Sequence, residues 1–264
     1  MDSRPTSPLP ISDSRRTLLR ALSRRKKRRE RGLFLAEGVR LLSELVSVPE
    51  LIEFLYVHPE MVEQIPTELA SCTTYLIGSE ESDLFSTEHP QGVGAVVRMP
   101  QSPSLNDLQT LRIPLLFLDG VSDPGNAGTI IRGADWFGID WVLFGKGSVD
   151  PWNPKTVRAS MGGSFRVTIV EGVSVAELLS LNRQVYLLSA DGESVLGETS
   201  PDPTGIYVIG SEAHGISPEW EESGLSERVE RLSIPRVGSG ESLNAAMAAT
   251  ILCWELSRVD ERSG

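Results

Sequence analysis

Five polar side chains, spread over three short stretches, are of types that could grip an anionic substrate and manage a proton. Asn126 and Arg132 stand in "DGVSDPGNAGTIIRGA" (Asp119 to Ala134), Glu212 in "GSEAHGIS" (Gly210 to Ser217), and Ser242 and Asn244 in "IPRVGSGESLNAAMAATILCWEL" (Ile234 to Leu256). Arg132 carries a planar fork that matches a phosphate in a way lysine cannot copy. Glu212 follows the apolar run "YVIG", where a carboxylate is costly unless a backbone N–H row or an arginine meets it. Each residue also has a plainer role. Arg132, flanked by Ile130 and Ile131, is compatible with a surface group lying along apolar neighbours. Glu212 is compatible with a cap on the next turn, and Ser242 and Asn244 with caps on the apolar helix pattern that follows them. His214 is the only histidine near these loops and is not assigned as a base.

Such loops need elements to hold them. From Pro114 onward, strand-like runs ("LLFLDG", "WVLFG", "RVTIV", "VYLLSA", "GIYVIG") alternate with helix patterns ("GNAGTIIRGADWFG", "PKTVRASMGG", "VAELLSL" and the terminal helix). Continuous apolar strands between helices imply an α/β layer structure with a buried parallel sheet. Ligands of such sheets sit beyond the carboxyl ends of the strands. Pro124, Gly125 and Gly128 make the first loop a tight turn, yet neither GxGxxG nor GxxxxGK[ST] is present. Gly238 and Gly240 let backbone approach a ligand closely, just ahead of a helix start with free N–H groups.

Residues 33–98 read as a smaller α+β module: a helix over "EGVRLLSELV", then β-type runs "IEFLYV", "TTYLI" and "GVGAVVRM". The polar, proline-punctuated "PQSPSLNDLQTLRIP" between Pro100 and Pro114 reads as a linker with room for one helical turn. The expected organisation is therefore a basic arm over 1–30, the small module over 31–99, a linker over 100–113 and the α/β domain over 114–264.

The 264 residues, 40% of them hydrophobic, are enough to bury a substantial core. Net charge is −11, but the first thirty residues hold ten Lys or Arg against three acids, so the rest of the chain carries −18. That basic segment either neutralises nucleic-acid phosphates in a salt-dependent way or is a solvated tether. Asp2, Asp13 and the dense Lys/Arg cluster are unlike an organellar transit peptide. Cys72 and Cys253 lie far apart without metal-ligand spacing, so neither a disulfide framework nor a metal site is expected, and a reducing, cytoplasmic setting fits. No apolar stretch approaches the roughly 18 residues that span a bilayer, so no membrane partner is expected.

Taken in order, "NAGTIIRGA … IGSEAHGIS … IPRVGSGESLNAAMAATIL" resembles the three signature motifs of the SpoU/TrmH family of RNA ribose 2'-O-methyltransferases, within the SPOUT class. The resemblance covers Pro114 to Leu256. "KKRRERGLFLAEGVRLLSEL" is similar to the opening of the RNA-binding domain attached to many members. The resemblance implies a C-terminal segment threaded into a deep trefoil knot, and S-adenosylmethionine held there against Gly210, Ile234, Leu243 and Ser189. It also implies Arg132 at the target phosphate and ribose as the proposed base, Glu212 orienting Arg132, Asn126 positioning the hydroxyl or phosphate, and Ser242 and Asn244 facing the reaction centre. A homodimer joined through catalytic-domain helices, a ribosomal RNA substrate and no metal follow from the same likeness. A transfer RNA substrate, or a non-catalytic RNA-binding or ribosome-assembly role on the same fold, are the alternatives. Two positions depart from the family pattern. Ala213 and His214 precede Gly215 where Gly-Ser-Glu-Gly is usual, and Arg236 stands where methionine commonly follows Ile-Pro. A local basic face of Arg132, Arg158 and Arg166 is expected to offset the acidic character of the chain.

Overall fold

A two-residue strand β1 (Leu9–Pro10) and two helices, α1 (Asp13–Leu22) and α2 (Arg25–Arg31), stand where the sequence suggested a basic arm. The structure, a computed structural model, describes residues 7–198, 201–222, 226–240 and 242–258. Residues 1–6 of the expected arm thus lie outside the described residues. The rest is folded because its cations are interspersed with apolar anchors. Leu19 and Leu22 are buried, while Arg16 and Arg20 reach Glu81 and Asp83 at 2.6 and 2.8 Å. Arg28 is only 2% exposed and donates from Nη1 to the carbonyls of Leu22 and Ser23, both at 2.8 Å, so it closes the end of α1.

The chain divides into two compact units, Met1–Gln101 with Trp152–Phe165, and Ser102–Pro151 with Arg166–Gly264. In the first, β2 (Leu33–Glu37), α3 (Val39–Leu45), β3 (Ile52–Val57), β4 (Thr74–Leu76) and β5 (Val93–Arg98) follow the helices. Among the described residues they form a mixed five-stranded sheet in the order β1-β4-β3-β5-β2. The helix expected from Glu37 starts two residues later. Glu37 instead ends β2, buried, with its carboxylate accepting from Tyr56 Oη at 3.0 Å and from the Ser86 N–H at 2.9 Å.

In the second unit the linker contains α4 (Leu105–Thr110), whose Leu108 is buried in the core. Buried Arg183 gathers the carbonyls of Leu108, Leu111 and Ile113 at that helix's end. Then come β6 (Leu115–Asp119), α5 (Pro124–Trp136), β7 (Trp141–Gly145), α6 (Pro154–Ser160), α7 (Gly163–Arg166), β8 (Thr168–Val173), α8 (Val175–Ser180), β9 (Val185–Leu188), β10 (Ser194–Val195), β11 (Ile206–Gly210), α9 (Glu219–Glu222), β12 (Val229–Ser233) and α10 (Ala245–Ser257). Of these, α6 and all of α7 but Arg166 belong to the first unit, where the Trp152 ring lies 4.8 Å from that of Phe34.

Among the described residues the second unit's sheet has seven strands, all parallel, in the order β10-β12-β9-β11-β6-β7-β8. This is the α/β layer structure the apolar runs implied. Strand β6 is buried at all five positions, as a central parallel strand must be. Strands β10 and β12 were not read from the sequence. They sit at the sheet's edge, and β12 buries only Leu232 and Ser233, so its "VERLS" lacks an apolar run.

Candidate active site

Because the sheet is parallel, the carboxyl ends of β12, β9, β11 and β6 share one edge. Asp119 pairs with Gly210, Ile209 with Leu188, and Leu188 with Leu232, so the loops leaving these four strands start side by side. The segments that follow β9, β11 and β12 enclose a cavity of about 740 Å³, within the size range of small-molecule sites. Gly210, Ile234, Leu243 and Ser189 line it, as do Glu212, Ser242 and Asn244.

Helix α10 positions Asn244 as its own N-cap. The side-chain Oδ1 accepts from the N–H groups of Ala246 and Met247 at 3.0 and 3.2 Å, which turns Nδ2 outward. Nδ2 then donates to Asn126 Oδ1 at 3.1 Å and to Glu212 Oε1. Asn126 is brought there because α10 packs on α5, with Gly133 facing Thr250; a β-carbon at Gly133 would lie 3.2 Å from Thr250 Oγ1. Glu212 also accepts from the Ala245 N–H at 3.3 Å, placing its charge at the positive end of α10. Asn126, Glu212 and Asn244, which lie far apart in the chain, therefore form one hydrogen-bonded group.

Arg132 is on α5 but outside this group. Its side chain is exposed and makes no hydrogen bond or ion pair among the described residues, so the anticipated Glu212 to Arg132 contact is absent there. Ser242 is exposed at the cavity wall, likewise without a hydrogen bond among the described residues. The anticipated basic face is also altered. Arg166 forms a two-pronged pair with Asp135 at 2.9 and 2.7 Å, and Arg158, in the first unit, faces buried Glu37 at 3.6 Å. Of the three arginines, only Arg132 presents a guanidinium unpaired among the described residues.

The loop after β11 is held tightly. Ser211 and Gly215 exchange backbone hydrogen bonds of 2.9 and 2.7 Å, with Gly215 at φ +68°, and Ser211 Oγ accepts from the N–H groups of Ala213 and His214. Ala213 and His214 occupy the exposed tip, where the departure from the family pattern leaves the turn closed. A β-carbon at Gly210 would lie 2.6 Å from the Gly215 carbonyl, so no larger residue fits between these backbones.

One residue with a structural claim on the site was not singled out from the sequence. Asp119, 8% exposed, ends β6 and accepts from the Ser217 N–H at 2.7 Å and from Trp220 Nε1 at 3.1 Å, fastening the β11 loop to the neighbouring strand. The available signal was a carboxylate closing an otherwise apolar strand at the point where a loop begins.

An all-parallel sheet with a cavity beyond the carboxyl ends of its strands defines a ligand-binding α/β domain. Residues 114–254 match the SpoU rRNA Methylase family, and residues 17–95 match the MRM3-like substrate binding domain. The chain is similar to the 23S rRNA (guanosine(2553)-2'-O)-methyltransferase RlmP of Bacillus subtilis, with 33% identity over 89% of this chain and 92% of that one. Among solved structures it is similar to a TrmH-family protein from Porphyromonas gingivalis, with 35% identity, a TM-score of 0.78, and 94% of this chain and 98% of that one covered. It is also similar to the SpoU methyltransferase AviRb from Streptomyces viridochromogenes, solved in complex with the cofactor AdoMet, with 28% identity, a TM-score of 0.78, and 96% and 100% covered. This chain belongs to the SpoU rRNA methylase family.

Proposed function

We propose that this protein is an S-adenosylmethionine-dependent methyltransferase acting on a ribose 2'-hydroxyl of ribosomal RNA. The observation that carries the reading is the junction of three separated segments through Asn126, Glu212 and Asn244, the last two of which line one cavity. The cavity fits the cofactor by chemistry as well as size. Leu188, Ile209, Ile216, Ile234 and Leu243 offer apolar surface to an adenosyl group, and Gly210 allows close backbone approach. When bound, S-adenosylmethionine supplies a methyl group on a sulfonium, a good leaving group. The protein's share is orientation, proton handling and exclusion of water.

Arg132 is assigned to the target phosphate and 2'-hydroxyl. A guanidinium already carries its proton and takes no second one, so we assign proton removal to a relay through the phosphate that Arg132 clamps. Asn126 orients the hydroxyl or phosphate, Glu212 and Asn244 hold the start of α10 against Asn126, and Ser242 faces the reaction centre. Ser189, Gly210, Ile234 and Leu243 hold the cofactor. The third loop is read as part of a trefoil knot, with its Glu241 outside the described residues.

A homodimer goes with this reading. Trp136 on α5 is 80% exposed, and α10 shows Met247 and Trp254 at 58% and 47%, one helical face apart by seven residues. Covering those faces with a second copy would also remove the exposed Arg132 from bulk water. The first unit serves as the RNA-binding domain, and the setting is cytoplasmic, in keeping with Cys72 and Cys253 as free thiols. No helix among the described residues is long and apolar enough to cross a membrane.

The test is a map of ribose methylation in total RNA from cells with and without the gene. Loss of one ribosomal 2'-O-methyl mark, restored by the wild-type chain but not by Arg132→Ala, is the expected result. An unchanged map overturns the proposal.

A further inference from the structure

The cavity walls hold few charges. Among the described lining residues Glu212 is the one carboxylate and Arg236 the one cation. Glu212 is already engaged by Asn244 Nδ2 and the Ala245 N–H. Arg236 donates from Nη1 to the Gly240 carbonyl at 3.2 Å, and the remainder of its fork has no partner among the described residues. A cation at the rim of a largely apolar cavity, with most of its donors unused, is suited to an anionic end of the ligand that fills the cavity.

Resting on the methyl-donor reading above, we propose that Arg236 recognises the carboxylate at the amino-acid end of S-adenosylmethionine. The cofactor has two chemically distinct ends, a flat adenosine that suits the apolar walls and an amino acid bearing a carboxylate. An arginine fork pairs with a carboxylate through parallel, charge-assisted bonds that a methionine side chain cannot supply. The bond to Gly240 occupies one nitrogen and leaves the rest of the fork free to donate. Arg236 is thus a cofactor-binding residue at a position where the family pattern commonly has an apolar one.

Calorimetric titration of the full chain tests this with two ligands. S-adenosylhomocysteine keeps the carboxylate, whereas 5'-methylthioadenosine keeps the adenosine and sulfur but lacks the amino-acid end. Arg236→Met is expected to raise the Kd for S-adenosylhomocysteine about tenfold or more and to leave that for 5'-methylthioadenosine within about twofold; Arg236→Lys should fall between wild type and Arg236→Met for the first ligand only. An equal loss for both ligands would mean that Arg236 merely shapes the loop, and no loss for either would mean it touches nothing; each result overturns the proposal while leaving the cofactor reading intact. Wild-type protein that binds neither ligand would instead sink the cofactor reading itself.

Discussion

The two glycine-bearing walls of the cavity use the same residue type for opposite ends. After β11, Gly210 is crossed by the backbone of Gly215 at a separation that excludes a β-carbon, and the turn is closed by paired backbone bonds and fastened to Asp119. After β12, Gly238 and Gly240 have open space where a β-carbon would be, Val237 is wholly exposed, and the described tie across the loop is Arg236 to Gly240. One wall is set by the protein alone. The other shows few internal bonds among the described residues, the mark of a segment that rearranges at low cost. Glu212 belongs to the rigid wall and orders the start of α10; Arg236 belongs to the open one.

The largest effect should come from forcing the rigid wall apart. Gly210→Ala places a methyl group against backbone that cannot rotate aside, and overpacking of this kind costs about 1–3 kcal/mol. Because the strain falls on the cavity wall, S-adenosylhomocysteine binding should be lost along with several degrees of Tm, measured by calorimetry and thermal melting. Undiminished binding by Gly210→Ala would show that this wall gives as easily as the other. Next in size is Asp119→Ala, which strands the Ser217 N–H and the Trp220 indole N–H; unsatisfied buried donors cost about 1–3 kcal/mol. Its denaturant midpoint should fall, and indole fluorescence should report Trp220 in a changed setting. A midpoint equal to wild type would remove Asp119 as the fastener of that loop.

The same division explains what could be read in advance. Strands β6, β7 and β11 are buried almost throughout, β9 is buried on one face and half-buried on the other, and all four read as apolar runs, whereas β12, beside the two-residue edge strand β10, mixes Glu230 and Arg231 with its buried residues and has no such run. The basic segment was read as an arm because charge counts do not show that Leu19 and Leu22 anchor one helix and that Arg28 turns inward. At the site, the residue types drew attention to three loops that the structure joins through Asn126, Glu212 and Asn244, but not to how they pair. A carboxylate after a buried strand needs a donor, and nothing in the spacing distinguishes an arginine on α5 from the amide of Asn244 and the first N–H of α10, which are the donors found. Pairings between loops depend on how α10 packs against α5, a tertiary matter.

Asn244 lies where the two walls meet, and its substitution separates their contributions. Asn244→Ala removes an N-cap, at a cost of about 0.5–2 kcal/mol, and also cuts the bonds to Asn126 and Glu212. Methyl transfer should fall far more than stability, since the fold loses one cap while the site loses its junction. Asn244→Ser, a good cap too short to bridge both partners, should recover most of the melting temperature and little of the activity. If the serine variant recovers both together, the cap alone matters and the three-loop junction is incidental. At the small end, Val237→Ser removes a side chain that is 102% exposed, and a substitution of that kind stays within about 0.5 kcal/mol. A marked loss of stability there would mean that the open wall is packed after all, against a second copy of the chain, and melting measured at several protein concentrations would reveal it as a concentration-dependent Tm.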